Sequence, residues 1–279
     1  MTQSLPSKSS GLHLLTALGC GVLLSTASLP ANASSLISSS DYLDYELPAE
    51  LQGRCIERDN CPQIEVKYIK TNHDWINNIV NARINHVAAN IAQTKSVLIA
   101  PPINHNQVKK SLDDFASASF IDPPEGSTWG YSLTIDPEYI GHVQDFELFR
   151  IDSYVFTGGA HGMPYSEYLI FDPSSKTQIQ LADMLVPAKQ ARKKSRKKAR
   201  FKALAYDAYK TWVKTVDEDA DGYEKNWPFT LSDNVTLTDK GVDIRYQHYD
   251  IGPYAYGMPA LSIPYEKLGG IIKPHFIPK

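Results

Sequence analysis

Long apolar runs are scarce in this 279-residue chain. After Leu24 none approaches the roughly 18 to 20 residues needed to cross a bilayer, so no span is expected beyond the N-terminal segment. A charge excess is missing too: 28 Lys and Arg stand against 31 Asp and Glu, which argues against nucleic acid as a general partner. There are only three cysteines, and nothing beside them looks like a redox motif. Neither a Gly-x-Ser-x-Gly elbow nor a His-Glu-x-x-His helix occurs, and metallodeacetylase ligand patterns are lacking. Carboxylate pairs such as Asp145 with Glu147, or Asp113 with Asp114, have no spacing that singles them out for sugar hydrolysis. No catalytic residue, metal ligand or cofactor is therefore assigned, and the chain is expected not to be an enzyme.

What is present begins with a compartment signal. Lys8 is the one charged residue among the first 33, and the apolar run Leu12 to Leu24 leads to Ala31-Asn-Ala33. This reads as a cleaved secretory segment, 1–33, and implies a periplasmic or secreted protein. The rival reading is a lipoprotein site at Leu18-Gly-Cys20, with Cys20 as the anchor, although Ala17 sits where a larger aliphatic residue is usual. Removing Lys8 with the segment leaves 27 basic against 31 acidic residues, a net charge of −4. Cys55 and Cys61 remain, and an oxidising compartment favours a short-loop disulfide acting as a local staple. The alternative is two unrelated thiols.

Residues 34–62 read as an irregular lead-in containing that loop, 63–120 as an N-terminal α+β part, and 121–279 as a C-terminal domain. Gln63 to Ile69 alternates like a strand. From Asp74, placed near the cap, Trp75, Ile76, Ile79, Val80, Ile84, Val87, Ala88 and Ile91 form a helical stripe. Val108, Leu112 and Phe115 give a weaker one, followed by a turn at Asp122 to Gly126. Strands are expected at Thr128 to Ile135, Tyr139 to Ile151, Ser153 to Phe156 and Ser166 to Phe171, with a turn at Asp172 to Ser175. Pro187 could open a long helix whose half from Phe201 to Val216 is amphipathic, and the acidic run Asp217 to Asp221 ends at Gly222. Strands return at Val235 to Leu237, Val242 to Tyr249 and Ala260 to Ile263. The sum is an α+β fold, an antiparallel sheet with helices packed on one face.

Two clusters carry the functional reading. Phe156-Thr-Gly-Gly-Ala-His-Gly162 places Gly158, Gly159 and Gly162 within five positions, a backbone that turns through positive φ or passes close to another segment. His161 could hold that loop's shape by hydrogen bonding, join a binding surface, or serve as a base or metal ligand. The second cluster, Tyr249-Asp-Ile-Gly-Pro-Tyr-Ala-Tyr-Gly257, belongs to five tyrosines (Tyr246, Tyr249, Tyr254, Tyr256 and Tyr265) stiffened by Pro253, Pro259 and Pro264. Tyrosine suits contact with a protein surface or stacking on a sugar, and equally a core with a polar tip at the surface. Gly158, Gly159, His161, Tyr249, Tyr254 and Tyr256 are the candidate binding residues. Lys189 to Lys202 holds nine of the 28 basic residues. It suits contact with anionic lipid or another acidic envelope polymer, or it is a solvated helix extension.

With its neighbours Ser166-Glu-Tyr-Leu-Ile-Phe-Asp172 and Asp233 to Tyr246, the glycine loop resembles the extracytoplasmic domain of RsiV-type anti-sigma factors, shared with the N-terminal part of PdaC-type peptidoglycan deacetylases. The likeness covers the second half of the chain well and Ile64 to Ala118 more loosely. It implies a sensing or binding module without the sigma-binding, membrane-spanning or deacetylase parts those proteins carry. It also implies a partner such as a lysozyme-type muramidase, or peptidoglycan itself; the oligomeric state is left open. The other readings are a cell-wall hydrolase with His161 as base, and a membrane-surface scaffold using the basic helix.

Overall fold

A computed structural model describes residues 35–58, 61–91, 102–121, 130–187 and 191–278. The expected secretory segment, Cys20, the turn at Asp122 to Gly126 and Lys189 lie outside these residues, as do the side chains of 191–197; of the rest of the basic run, Lys198, Arg200 and Lys202 are exposed on the helix. Among the described residues no helix is long and apolar enough to cross a membrane.

The lead-in is more ordered than expected. It contains strand β1 (Ser38–Tyr42) and helix α1 (Ala49–Arg58), and α1 is stapled to the start of β2 (Gln63–Thr71) by the Cys55–Cys61 disulfide, with Cα atoms 4.9 Å apart. Leu51 and Cys55 pack α1 against Ala116 and Phe120. Such a bond belongs to a protein folded in an oxidising, extracytoplasmic compartment.

Helices α2 (Asp74–Ala89) and α3 (His105–Ile121) follow, then β3 (Ser132–Val143), β4 (Phe146–Phe156), β5 (Met163–Asp172) and β6 (Thr177–Ile179). The α+β class stands, and the six strands lie in chain order. One pairing departs from an all-antiparallel sheet: β2 runs parallel to β3, in register from Gln63↔Ser132 to Val66↔Ile135. Parallel neighbours need a long crossover, and α2 and α3 lie within it. The segment Tyr139 to Ile151, read as one strand, is instead the hairpin between β3 and β4, turning at Gln144 and Asp145 with Gln144 at φ 53°. A tight hairpin needs positive φ, normally signalled by Asn or Gly, and neither stands here.

The remaining elements are α4 (Leu181–Met184), α5 (Ala191–Val216), α6 (Ala220–Asn226), β7 (Val235–Leu237), β8 (Gly241–Arg245), β9 (Ala260–Pro264) and α7 (Tyr265–Leu268). The acidic run does not simply end a helix. Asp219 caps α6, its Oδ1 accepting the Gly222 N–H at 3.0 Å, as a carboxylate at a helix N-terminus should. At α2 the cap position belongs to His73, with Asp74 as the first helical residue.

Alternation along β4 and β5 gives the large sheet two buried faces. Phe149, Ile151, Leu169 and Phe171 meet Ile76, Val80 and Ile84 of α2 and Leu112 and Phe115 of α3. Phe146, Leu148 and Ile170 face the other way, into a core shared with the three-stranded sheet β7-β8-β9 and with Phe201, Ala205, Tyr209 and Val213 of α5. Helices therefore cover one face, and a second sheet with its own helix covers part of the other.

Side-chain amides hold these layers in register. Beyond β6, the β5 backbone at Ser166 is bonded by Gln247, which accepts from its N–H at 3.0 Å and donates to its C=O at 2.7 Å; Asn234 donates to the same C=O at 2.8 Å and accepts from the Tyr168 N–H at 2.9 Å. On β2, Asn81 brackets Ile69 and Asn77 brackets Thr71 in the same way, from α2. Each backbone group thus keeps a partner where no strand supplies one.

Candidate functional site

The site starts from the link between β4 and β5. Gly158 sits at φ 101° and Gly159 at φ 87°, conformations that a Cβ disfavours, so the glycine reading of this loop holds in its backbone. At Gly162 space decides instead: a Cβ would come within 2.3 Å of the Tyr154 ring. Across from this loop, Pro253 opens the single 3-10 turn Tyr254–Tyr256, which Gly257 closes at φ 71° and ψ −147°, a region open essentially to glycine alone.

Tyr254 joins the two loops, although they are about 90 residues apart in sequence. Its hydroxyl donates to the Gly162 carbonyl at 3.0 Å. His161 stacks on its ring at 3.6 Å between centroids and 15° between planes, and His248 stacks at 4.1 Å and 20°. Two nearly parallel rings this close to a third cannot share one face of it, so the phenol is sandwiched between the imidazoles. His161 Nδ1 lies 3.0 Å from the same Gly162 carbonyl. A carbonyl only accepts, so Nδ1 carries the proton and Nε2 is the ring's acceptor.

Of the six sequence-chosen residues, the structure thus brings Gly158, Gly159, His161 and Tyr254 together. Tyr249 is adjacent, 6.0 Å from Tyr254 and 6.4 Å from Trp227, with 47% of its surface exposed. Tyr256 turns away: its ring faces Tyr223 and Trp212, and its hydroxyl donates to the Val216 carbonyl at 3.2 Å. Tyr246 and Tyr265 are core residues, donating to the carbonyls of Thr230 and Thr238. Burial pushes the Tyr265 phenol up to about 12.

Sequence reasoning missed Tyr154 and the role of His248. Tyr154 is a solvent-facing aromatic near the end of β4, a signal that only its position beside the glycines could have raised. The imidazoles face a phenol rather than each other, and among the described residues no group of three or more His, Cys, Asp or Glu is placed to hold a metal ion.

His248 has a consequence for stability. Burial holds its pKa below the ordinary 6.5, opposed by a hydrogen bond to the Tyr254 backbone and helped by the nearby His161, and its Nδ1 is buried without a hydrogen-bond partner among the described residues. The unfolded chain therefore takes up a proton that the folded one refuses, so stability falls as pH drops through about 6.5 toward the lower folded value. Thermal unfolding at pH 7.5 and at pH 5.5 should show a smaller acid-induced fall in Tm for His248→Gln than for the natural protein. Equal falls would remove His248 from this account.

Comparison with known proteins extends the picture. Residues 170–266 match a family described as "Protein of unknown function (DUF3298)". That segment runs from the end of β5 to the start of α7, so it includes the tyrosine cluster and leaves out the glycine loop. No curated protein matches the chain. A DUF3298 family protein of Pseudomonas aeruginosa PAO1 shares 26% identity with a TM-score of 0.60, the match covering 88% of this chain and 95% of that one. A DUF3298 family member from Bacteroides fragilis NCTC 9343, 16% identical with a TM-score of 0.54 over 88% of this chain and 97% of its own, shares the fold. The protein thus carries a DUF3298-type domain at residues 170–266, within a fold similar over most of its length to solved proteins of that family.

Proposed function

We propose that this is an exported, non-enzymatic binding protein of the bacterial cell envelope, whose recognition face is built from the glycine loop and the tyrosine-proline turn. The observation that carries the reading is the ring sandwich His161, Tyr254, His248, tied to Gly162 by the Tyr254 hydroxyl. It fixes two loops in one arrangement before any partner arrives, so association orders little and loses little entropy. Tyr154 and Tyr249 add exposed aromatic area beside it, the kind of surface that rests on a protein or on a sugar ring. Both imidazoles use a ring face on Tyr254, which suits a structural and contact role better than proton transfer.

The resemblance to RsiV-type ectodomains points to a lysozyme-type muramidase or peptidoglycan as partner. The acidic balance expected of the exported chain would help steer a cationic muramidase. Calorimetry of the purified protein with lysozyme at low salt, alongside sedimentation with insoluble peptidoglycan, tests this. One of the two should be bound, and Tyr254→Ala should weaken that binding by about thirty-fold, the effect of losing a central aromatic anchor. Tyr256→Ala should change it little. Retention of neither partner by the natural protein would reject the proposal.

A further inference from the structure

A cavity of about 700 Å³ lies between α2, α3 and the inner face of β3, β4 and β5, within the size range of small-molecule sites. The strand register orders its lining. Leu133, Val155 and Met163 form one row across three strands, and Ser153 pairs with Tyr165 in the next row, one step nearer Glu167. Burial rises in that direction: Thr157 and His161 at the outer end are exposed, whereas Ser153 and Glu167 are buried. From Ser153 to Thr157 is four residues of extended chain, about 13 Å, so the cavity is elongated, apolar along its walls and polar at its inner end.

Charge is balanced there. Arg83 lines the cavity, but Glu167 already takes its guanidinium with carboxylate oxygens 2.6 and 2.8 Å from Nη2. Burial and Arg83 also keep the neighbouring His86 toward its neutral form. A charged ligand head would enter without a counter-ion of its own, and burying it so is unfavourable. Hydroxyl, imidazole and amide groups on Ser153, His86 and Asn90 supply hydrogen-bonding capacity instead.

We propose that this cavity, which shares His161 with the aromatic face, is a separate ligand site for an uncharged, elongated amphiphile whose single hydroxyl or amide head lies inward at Ser153 and His86. The inference does not depend on the envelope-binding reading, because Ser153, His86 and Ala118 line the cavity and take no part in the aromatic face.

The test is fluorescence titration of the purified protein with N-phenyl-1-naphthylamine, an uncharged apolar amine that brightens in dry sites, followed by displacement. Saturable, equimolar binding is expected. 1-Decanol should displace the probe, while decanoate and decyltrimethylammonium should be weaker by about ten-fold or more. Ala118→Phe fills the cavity and should weaken the probe by about ten-fold or more at unchanged circular dichroism. Should that variant not fold, Thr157→Trp, at the exposed outer end, should lower affinity by obstructing entry. No probe binding, an undiminished affinity in a folded, cavity-filled variant, or decanoate competing as well as decanol would each overturn the proposal; the last would reassign the cavity to anions held by Arg83.

Discussion

Glu167→Ala is expected to lower stability by about 3–5 kcal/mol. Arg83 and Glu167 meet in the inner layer with side chains only 10% and 4% exposed, and the guanidinium approaches both carboxylate oxygens. Burial pushes the carboxyl pKa up and the guanidinium opposes that rise, so Glu167 depends on Arg83 to remain charged where it is buried. Truncating the acid takes this carboxylate away from a guanidinium that is itself largely buried. Urea unfolding, followed by circular dichroism, should show the transition midpoint falling sharply with its slope retained. The double replacement Arg83→Met with Glu167→Leu should recover most of the loss, because apolar groups of similar volume need no counter-charge. A Glu167→Ala protein as stable as the natural one would mean that the pair is solvated and that the cavity beside it is wetter than its lining implies.

Phe149→Ala is expected to cost a similar amount, about 3–5 kcal/mol, by a different mechanism. The ring is fully buried at the centre of β4, edge-on to Phe171 at 5.5 Å and tilted against Tyr139 at 5.2 Å. Its neighbours belong to three adjacent strands, whose pairing limits how far they can close over a void. For a chain of this size such a loss lowers Tm by roughly 10 °C. Phe149→Leu, which keeps most of the volume, should cost much less. Equal effects for the two would show that the ring contacts, not the volume, dominate at this position.

Much of the fold was legible in the sequence, for identifiable reasons. The stripe of α2 was read from Ile76, Val80, Ile84 and Ala88, and those four are buried. The amphipathic half of α5 is equally plain: Phe201, Ala205, Tyr209 and Val213 are buried, and the Tyr209 hydroxyl donates to the Trp227 carbonyl. The hairpin at Gln144 was missed because positive φ there is carried by a residue that does not announce it. Strand β1 was missed because Ser38 to Asp41 is polar, and its pairing with β2 comes from tertiary context.

The site was legible as two segments but not as one assembly. Positive φ at Gly158, Gly159 and Gly257 follows from composition. That Tyr254 rather than Tyr256 would face the glycine loop depends on a single 3-10 turn, which rotates neighbouring side chains apart. The Arg83–Glu167 pairing spans 84 residues and has no local signature in either helix or strand.

The asparagine and glutamine brackets bear on more than register. A strand with open N–H and C=O groups is a template onto which another polypeptide can add. Asn77, Asn81, Asn234 and Gln247 occupy such groups on β2 and β5 with short side chains that cannot propagate a ladder. The outermost strands are the five-residue β1, with three serines and Asp41, and the three-residue β6. Among the described residues, the six-stranded sheet therefore offers other copies of the chain few places to nucleate an intermolecular sheet.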